Sequence, residues 1–556
     1  MKKNSSLIKI MYLLILFFFS NSYAQIDEVV KIYKSDFEQI DLDNSYDLIK
    51  KNQSFAISSY TALKIASFLS YQQDYKTAFK FIRLADIDAF LEEDKPFYLY
   101  IYGTILKNLQ DSKYLDIFKQ LAQNYCHSYY GYKTYLEIYP YLSEKEKYSA
   151  LETCLKNRHY EKVKNLLFTL KDENAVNYYL LNISQNKEFY FNQISKDSEF
   201  YLKALSKMSH LNPIYEQEYL SALLLKDDVK TFLNFLKNKA LKAFYKGDYN
   251  SFQKYYEMFY SFNDKEDSDL EWLKFLYYYK SKDLDLAKTK LLSYGKFSND
   301  PFQIEYWNKL IESKNINEID IKDSYKVSEI TPYLSLIVYK TSKSITIKKE
   351  SPCPNKYGEV AEILNKLKSI DYKLAWAEGV YQVKKGKCGE VYSALPEAGV
   401  RCFSQLHECS YVKPFGSVEP KEFENIIYAI MKQESFFNPY AISWSNAVGL
   451  TQFIPKTGYY AAKQIGLNDF DMVDLYKPDN AILFAKWYLQ KLLNMFSGNL
   501  VYVFASYNSG EGAVKRFLDK NNIKDEAEFI EFYPYQETRD YVKKVLRNYA
   551  IYKYKE

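Results

Sequence analysis

Apolar residues recur at helical spacing over most of the chain. From about residue 26 to residue 320, apolar runs of roughly 12 to 18 residues are separated by short polar breaks. A single pair of such helices cannot bury its own apolar face, so successive pairs stack into a curved solenoid. The pattern therefore predicts an all-α protein in which residues 25–350 form a helical-repeat superhelix.

Four of the polar breaks share a local pattern. An aromatic or apolar residue follows each turn, and in three of them a small or branched apolar residue comes next in position to pack on the preceding helix. Such turns are typical of tetratricopeptide-like arrays, although the period here is irregular and the number of repeats stays open. The four breaks are Gln73-Asp74-Tyr75 before Ala78, Arg158-His159-Tyr160 before Val163, Gly247-Asp248-Tyr249, and Lys282-Asp283-Leu284 before Ala287.

The helical period is lost in two later segments. Within residues 321–350, the runs Leu-Ile-Val-Tyr and Ser-Ile-Thr-Ile are typical of strands, with helix ends as the alternative. Residues 351–415 are richer in Gly and Pro and hold four of the six Cys. We expect disulfides to stabilise this small segment, and the sequence does not choose among the possible pairings. A zinc site is the weaker alternative, because no CxxC spacing occurs and the chain has only 4 His.

Composition agrees with long helices joined by short turns. The 556 residues include only 16 Gly and 14 Pro, whereas average usage of the two together is roughly 12%. The 58 Tyr and 37 Phe are expected mainly to fill the seams between helices.

The first 24 residues predict an export signal. Lys2, Lys3 and Lys9 precede an apolar run from Ile10 to Phe19, which is shorter than the ~20 residues that cross a bilayer. Ser22-Tyr23-Ala24 then predicts signal-peptidase cleavage before Gln25, with an uncleaved anchor as the alternative.

Charge argues against nucleic acid as a partner. The formal net charge is +5, and cleavage would lower it to +2 because residues 1–24 contain three Lys and no acidic residue. This balance leaves no broad basic field that would attract a polyanion.

One helix near the C-terminus places a carboxyl group on its apolar face. After Pro420, apolar residues at i, i+3, i+4, i+7 and i+8 form one stripe, and Glu434 occupies the next position of that stripe. Such a Glu is either a structural carboxylate with a neighbouring donor or a proton donor whose pKa is raised by burial. On this helix alone, the structural interpretation is favoured.

Three further motifs follow this helix in order. Glu434-Ser435 is followed by AISWSNAVGLTQFIP over residues 441–455, by SYNSG over residues 506–510, and by FIEFYPYQETRDYVKKVLRNY over residues 529–549. Together the four motifs resemble the catalytic domain of the soluble lytic murein transglycosylases, in the goose-type lysozyme superfamily. The resemblance covers about residues 411–553 and shifts the interpretation of Glu434 from structural to catalytic.

The resemblance implies a domain plan and a cellular location. It implies a periplasmic protein with a signal peptide (1–24), a superhelix in the form of a ring or arc (25–350), a Cys-containing linker (351–415) and a lysozyme-like helical domain (416–556). The superhelix would guide a glycan strand to the cleft. A monomer is expected, with peptidoglycan strands as substrate and cell-wall synthases as candidate partners. Nothing in the sequence suggests a metal or an organic cofactor.

The resemblance also implies a reaction. Glu434 would protonate the β-1,4 bond between N-acetylmuramic acid and N-acetylglucosamine, and its carboxylate would then take the proton of the muramic C6 hydroxyl. The product would be a 1,6-anhydro sugar, which makes the enzyme a lyase. The residues implied to bind substrate are Ser435, Gln452, Tyr507, Asn508, Glu537 and Tyr541. Arg539 is expected to pair with a carboxylate, and Glu531 is a second acidic candidate ranked below Glu537.

The sequence departs from the family pattern at several positions, which we interpret as packing changes. Glu511, where Pro is common, is the one expected to alter the rim of the cleft. The departures are Thr451, Phe453, Ala481, Ala485, Ser506, Ser509 and Glu511.

Two alternative functions stay open at this point. A hydrolytic lysozyme on the same scaffold would use one carboxylate and a positioned water. A helical-repeat adaptor with a non-catalytic wall-binding domain belongs to a different class, and the joint presence of Glu434, Gln452, Tyr507 and Asn508 argues against it.

Overall fold

The computed structural model describes residues 26–35, 37, 40–350 and 352–555, except for the side chain of Glu422. The predicted signal peptide, residues 1–24, lies outside the described residues. The predicted all-α class is confirmed. Within the described ranges, no helix is both long and apolar enough to traverse a bilayer.

The α-helices follow one another with short connections. Up to the middle of the chain they are α1 (residues 26–34), α2 (Leu42–Lys51), α3 (Ala56–Tyr71), α4 (Tyr75–Ile82), α5 (Lys95–Asn108), α6 (Tyr114–Tyr125), α7 (Tyr129–Ile138), α8 (Glu144–Lys156), α9 (Tyr160–Leu166), α10 (Glu173–Ile183), α11 (Lys187–Phe191), α12 (Glu199–Met208), α13 (Pro213–Leu225), α14 (Val229–Lys246) and α15 (Tyr249–Ser261). After them come α16 (Ser268–Lys280), α17 (Leu284–Tyr294), α18 (Pro301–Ile311), α19 (Pro332–Thr341), α20 (Glu359–Ile370), α21 (Tyr372–Lys384), α22 (Cys388–Ala394), α23 (Pro396–Gly399), α24 (Lys421–Glu434), α25 (Pro455–Gln464), α26 (Pro478–Met495), α27 (Leu500–Ser509), α28 (Glu511–Lys520), α29 (Glu526–Phe532) and α30 (Gln536–Tyr554).

Short 3-10 helices and one pair of strands complete the described secondary structure. The 3-10 helices are Ile87–Ala89, Tyr139–Tyr141, Leu167–Thr169, Ile316–Glu318, Val327–Glu329, Val400–Cys402, Glu408–Ser410 and Met472–Tyr476. The strands β1 (Ser324–Tyr325) and β2 (Thr346–Ile347) pair in parallel.

The four turns that share a sequence pattern also share a backbone conformation. The first of the three residues in each turn has a left-handed backbone. Its φ is 64° at Gln73, 58° at Arg158, 78° at Gly247 and 66° at Lys282. The backbone N–H of the second residue in each turn donates to the carbonyl five residues earlier, which is the Schellman ending of a helix. In three of them an Asp at that position also caps the next helix, so one residue ends one helix and starts another.

A fifth turn of this kind was not noticed in the sequence. Asp227 has φ 55°, and Asp228 accepts from the backbone N–H of Thr231 at the start of α14. Its sequence fits the same pattern, because the apolar Val229 follows Asp228, and Asp at the cap position was a usable signal.

The strand prediction for residues 321–350 is wrong for one run and confirmed for the other. The run Leu-Ile-Val-Tyr lies inside α19, where Leu336, Ile337 and Val338 are all buried. A helix that is apolar all round reads like a strand because burial on every side removes the helical period. Part of Ser-Ile-Thr-Ile does form β2.

The chain forms two compact units, each built from two separate stretches of sequence. The first contains the described residues up to Tyr219 together with Pro354–Cys402, and the second contains Leu220–Cys353 and the residues from Phe403 onward. The predicted boundaries at 25–350, 351–415 and 416–556 describe order along the chain, and they stay a prediction beside this grouping by packing.

In the first unit, a buried carboxyl group connects the two stretches. Glu378 of α21 is 0% exposed and accepts from the backbone N–H of Ile57 at the start of α3, at 3.1 Å. The amide of Gln382 donates to the same carboxyl group. Burial raises the pKa of Glu378 to about 7, against the opposing effect of these donors.

In the second unit, residues before and after the first-unit insertion share one hydrogen-bond network. Glu531 of α29 accepts from the Trp272 indole at 3.0 Å and from the Tyr333 hydroxyl at 2.8 Å. The Lys543 ammonium lies 2.6 Å from the same carboxylate. These contacts explain why residues 220–353 pack with the C-terminal segment.

The six Cys form three disulfides, so the expectation of a disulfide-stabilised connector is confirmed. Two of the three bridges lie in or at the ends of the Cys-rich segment. The pairs are Cys126–Cys154, Cys353–Cys409 and Cys388–Cys402.

Candidate active site

Glu434 is the last residue of α24, and its carboxyl group faces a cleft. The apolar stripe that precedes it is buried as predicted, from Phe423 to Met431. This helix packs against α26 and α30, which fixes its end in the second unit. Burial raises the pKa of Glu434 to about 7, the Tyr541 hydroxyl opposes the shift, and the Glu537 carboxylate adds to it.

The chain turns sharply after Glu434 and holds a loop against the helix end. Phe436 and Phe437 both have positive φ, 48° and 61°, which is costly for residues with a Cβ and is often found at functional sites. Between them and Glu434, the Ser435 hydroxyl donates to the carbonyl of Leu450 at 2.9 Å and to that of Met431 at 3.2 Å. Ser435 therefore positions the loop.

The loop of residues 441–454 is shaped by its own backbone conformation. Gly449 has φ 79°, and a Cβ there would lie 2.3 Å from the carbonyl oxygen of Leu475, so only Gly fits. Gln452 also has a positive φ of 51°. Its amide nitrogen donates to the carbonyls of Gly449 at 2.8 Å and Ala441 at 3.1 Å, which leaves its amide oxygen as the group to meet a ligand.

The end of α27 supplies two more predicted residues. The Tyr507 hydroxyl donates to the carbonyl of Thr451 at 3.0 Å. Burial raises the pKa of Tyr507 well above its ordinary value, and the charge of Glu434 raises it further. Asn508 accepts from the Thr538 hydroxyl at 2.7 Å, so its side-chain oxygen is held by α30.

Two residues of α30, four positions apart, lie near Glu434 as their spacing predicted. Glu537 is exposed at the cleft. Tyr541 is 5% exposed, and its hydroxyl is near the Glu434 carboxyl but forms no hydrogen bond of ordinary geometry with the described protein atoms. Burial raises the pKa of Tyr541 well above its ordinary value, with a further contribution from Glu434.

A cleft of about 360 Å³ brings most of the predicted residues together. Ser435 and Tyr541 stand behind its wall, where they contact the loop and the Glu434 carboxyl group. The predicted residues that line it are Glu434, Gln452, Tyr507, Asn508 and Glu537.

Two secondary expectations differ from the structure. Glu531 is 2% exposed in the network with Trp272, Tyr333 and Lys543. Burial alone would raise its pKa, but Lys543 and the two donors hold the pKa below its ordinary value. Its role is therefore packing. Arg539 donates to the carbonyl of Tyr533 at 2.7 Å and lies over the Tyr245 ring, where a carboxylate partner was expected.

Glu511 is held by two residues of α26 and is absent from the cleft lining. It accepts from the Tyr488 hydroxyl at 2.9 Å and from Lys491 at 2.7 Å, both on α26. Burial would raise its pKa, but Lys491 and Tyr488 hold the pKa below its ordinary value. Of the other departures, Thr451, Phe453, Ala481, Ala485 and Ser506 are buried, in keeping with packing changes.

Two residues that line the cleft, and one buried residue near Glu434, were missed in the sequence. Tyr488 and Trp444 line the cleft beside Glu434. Lys432, two positions before Glu434, is buried with its ammonium 2.8 Å from both the carbonyl and the hydroxyl of Ser410. Burial lowers the pKa of Lys432 to about 6, and the charges of Arg547 and Lys555 lower it further. Only Trp444 carried a signal, as the one Trp inside a motif loop.

The family model described as Transglycosylase SLT domain matches residues 417–530. These residues belong to the transglycosylase SLT domain family. The match contains the end of α24, the 441–454 loop and α27, which together carry Glu434, Gln452, Tyr507 and Asn508. The match confirms the resemblance for the first three motifs, and the fourth motif, residues 529–549, lies almost entirely beyond it.

Curated relatives match the same part of the chain. The soluble lytic murein transglycosylase of Salmonella typhimurium is 35% identical over 128 residues, which is 23% of this chain and 20% of the relative. Membrane-bound lytic murein transglycosylase C of Haemophilus influenzae is 38% identical over 125 residues, 20% of this chain and 34% of the relative. The match thus spans about a fifth of the length of the first of these relatives.

Solved structures extend the likeness in fold beyond the SLT domain. The crystal structure of the 70 kDa soluble lytic transglycosylase SLT70 from Escherichia coli matches with a TM-score of 0.60 and 14% identity, over 99% of this chain and 95% of that chain. A complex of the 70 kDa soluble lytic transglycosylase with bulgecin A matches with a TM-score of 0.55, again at 14% identity. The predicted plan of a helical superhelix followed by a lysozyme-like domain is thereby confirmed as a fold.

Proposed function

We propose that this protein is a lytic transglycosylase that cleaves the β-1,4 bond between N-acetylmuramic acid and N-acetylglucosamine in peptidoglycan. The observation that carries the proposal is Glu434, whose pKa is raised to about 7 by burial at the wall of a cleft. The SLT-domain match and the names of the relatives, soluble and membrane-bound lytic murein transglycosylases, support the same reaction.

The first step needs a proton donor near neutral pH. A glycosidic oxygen is a poor leaving group, and an ordinary Glu has already lost its proton at pH 7. The raised pKa of Glu434 keeps a large fraction protonated. Its proton passes to the glycosidic oxygen as the bond from that oxygen to muramic C1 breaks, and the N-acetylglucosamine C4 hydroxyl leaves.

The second step returns the proton. The muramic C6 hydroxyl attacks C1, the new C1–O6 bond closes the 1,6-anhydro ring, and the hydroxyl proton passes to the Glu434 carboxylate. No water is consumed and Glu434 is restored. The amide of Gln452 and the side chain of Asn508, both held by neighbouring groups, would orient the sugar rings.

A hydrolytic lysozyme is the second candidate, and Glu537 is the observation that favours it. Glu537 lines the same cleft and its charge acts on Glu434. Most glycoside hydrolases use two carboxyl groups that flank the scissile bond, and in the inverting enzymes one of them activates the attacking water. The two reactions give different products from the same bond.

The location and partners follow from the reaction. Peptidoglycan as the substrate places the protein in the periplasm, which agrees with the export signal predicted at residues 1–24. We further propose that it acts as a monomer on glycan strands and that cell-wall synthases are its protein partners. Complex formation with such a synthase, tested by co-purification, is a separate question from the reaction.

The reaction is tested by mass spectrometry of muropeptides released from purified sacculi by the mature chain, residues 25–556. We expect products lighter than hydrolysed muropeptides by the mass of one water, and their loss in Glu434→Gln. Removing a positioned catalytic acid typically lowers turnover by about 100-fold or more. Asp519→Asn, the same kind of change at an exposed residue of α28, is the matched control and should keep full activity.

The other outcomes separate the alternatives. Full-mass reducing ends would favour the lysozyme over the transglycosylase. Equal turnover by Glu434→Gln and the wild type would contradict the assignment of Glu434. No release by either protein, with wall binding retained, would favour the adaptor.

A further inference from the structure

Trp444 is an unusual residue for its position. It lies in the cleft wall with Glu434, and 60% of its surface is exposed. Exposed turns normally carry small polar residues, and its neighbours Ser443, Ser445 and Asn446 follow that preference. The indole at this point is therefore open to a ligand in the cleft.

The backbone around Trp444 is a well-defined hairpin turn. The N–H of Asn446 donates to the carbonyl of Ser443 and the N–H of Ser443 to the carbonyl of Ala447, both at 2.9 Å. Asn446 has the left-handed φ of 59° that a three-residue hairpin loop needs at this place. The Ser443 hydroxyl also accepts from the N–H groups of Ser445 and Ala447. Trp444 is thus presented on a rigid tip.

The hairpin is attached to the catalytic helix. Ile442 and Val448 pair across it, and Val448 pairs onward with Phe453. The bond from Ser435 to Leu450 then joins this loop to the end of α24, and the bond from Gln452 to Ala441 closes the loop on itself. The position of the indole is consequently fixed relative to the carboxyl group of Glu434.

We propose that Trp444 is a sugar-stacking platform, which binds one pyranose ring of the glycan strand and sets the register of the strand against Glu434. This inference rests on the proposed function. The C–H face of a pyranose is apolar, and a flat aromatic side chain is its usual partner, while polar groups elsewhere in the pocket fix orientation. Ile454, which is 42% exposed and lines the same cleft, adds a second exposed apolar side chain to the cleft wall.

Intrinsic fluorescence of the full chain tests the platform without relying on catalysis. Trp272, Trp307 and Trp376 are buried, and Trp487 is half-buried and lies outside the cleft lining. A ligand that covers Trp444 should therefore dominate the spectral change, and Trp444→Ala separates its signal from that of Trp487. With Glu434→Gln and a β-1,4-linked N-acetylglucosamine oligomer, which has no peptide stem, we expect a saturable change in emission. The same titration by calorimetry gives the dissociation constant.

Trp444→Ala should abolish the spectral change and weaken binding of the oligomer by about 10- to 50-fold, in the range of an aromatic anchor. Trp444→Phe should recover most of the affinity, since it restores a stacking ring. Tyr459→Ala removes an aromatic side chain of the same domain that is 51% exposed and lies outside the cleft lining, and its affinity should be unchanged. In the catalytically intact chain, Trp444→Ala should raise KM by a similar factor and leave kcat near the wild-type value.

Three outcomes would overturn the inference: unchanged affinity in Trp444→Ala, a spectral response only to peptide-bearing fragments, or a fall in kcat with KM unchanged. Binding through Trp444 without anhydro products from the intact chain would contradict the proposed reaction and leave the stacking platform standing.

Discussion

Two carboxyl groups of the second unit show how one residue type serves two purposes. Glu434 ends α24 at the cleft, where Tyr541 is the group that lowers its pKa, and burial raises that pKa to about 7. Glu531 lies in α29 among the Trp272 indole, the Tyr333 hydroxyl and the Lys543 ammonium. There the pKa stays below its ordinary value in spite of complete burial.

The difference lies in the donors that surround each carboxylate. Burial penalises both charges, and only strong donors or a cation offset that penalty. A raised pKa is still insufficient to identify a catalytic acid, because Glu378 of the first unit also reaches about 7. The Glu378 carboxyl group is buried against the start of α3, whereas the Glu434 carboxyl group lines a cleft that can hold a substrate.

The largest effect is expected from Glu531→Gln. The change leaves the Lys543 ammonium without its carboxylate and weakens two buried hydrogen bonds, which should lower the free energy of unfolding by about 3 kcal/mol. Chemical denaturation at pH 7 measures it, with Asp519→Asn as the exposed control. A stability within about 0.5 kcal/mol of the control would contradict the packing role.

The pH dependence of Glu531 has a definite sign. Because its pKa is depressed in the folded state, its contribution is present above the unfolded pKa near 4.5 and is lost as the pH falls through the folded pKa. The wild type should therefore lose its advantage over Glu531→Gln as the solution is acidified below pH 4.5.

Glu434→Gln should change stability in the opposite direction. The folded pKa is about 7 against an ordinary 4.5, so between these values the folded chain holds a proton that the unfolded chain has lost, and stability falls as pH rises. Gln does not titrate and escapes this fall. From pH 4 to pH 8 the variant should gain roughly 2 to 3 kcal/mol relative to the wild type, as measured by denaturation at both pH values. A constant difference between the two proteins would show that Glu434 titrates normally.

The smallest effect is expected from Tyr541→Phe. The Tyr541 hydroxyl lowers the pKa of Glu434, so its removal should raise that pKa, by less than about one unit or 1.4 kcal/mol. The alkaline limb of kcat/KM against pH, where Glu434 loses its catalytic proton, should move to higher pH. An unchanged limb would mean that the hydroxyl does not act on the acid, and a move to lower pH would mean that it stabilises the protonated form.

Local patterns were sufficient for much of the fold and for the proposal that Glu434 is the acid. In three of the four predicted turns, the Asp that follows a left-handed residue begins the next helix, since capping and turn geometry depend on adjacent residues. The stripe ending at Glu434 placed the carboxyl group at a buried helix end, and spacing placed Glu537 and Tyr541 on one face of α30. The strand predicted from the run Leu-Ile-Val-Tyr was wrong, because α19 is buried on all sides and its sequence therefore shows no helical period.

Contacts between distant residues decided the rest. The motifs left Glu531 as a second acidic candidate, and only its contacts with Trp272, Tyr333 and Lys543 make it structural. The cysteine pairing and the discontinuous units likewise depend on which segments meet, as does the turn that presents Trp444 beside Glu434. Helix ends and apolar faces depend on residues that are neighbours in the sequence. The burial of a side chain, its hydrogen-bond donors and the charges around it depend on residues that only folding brings together.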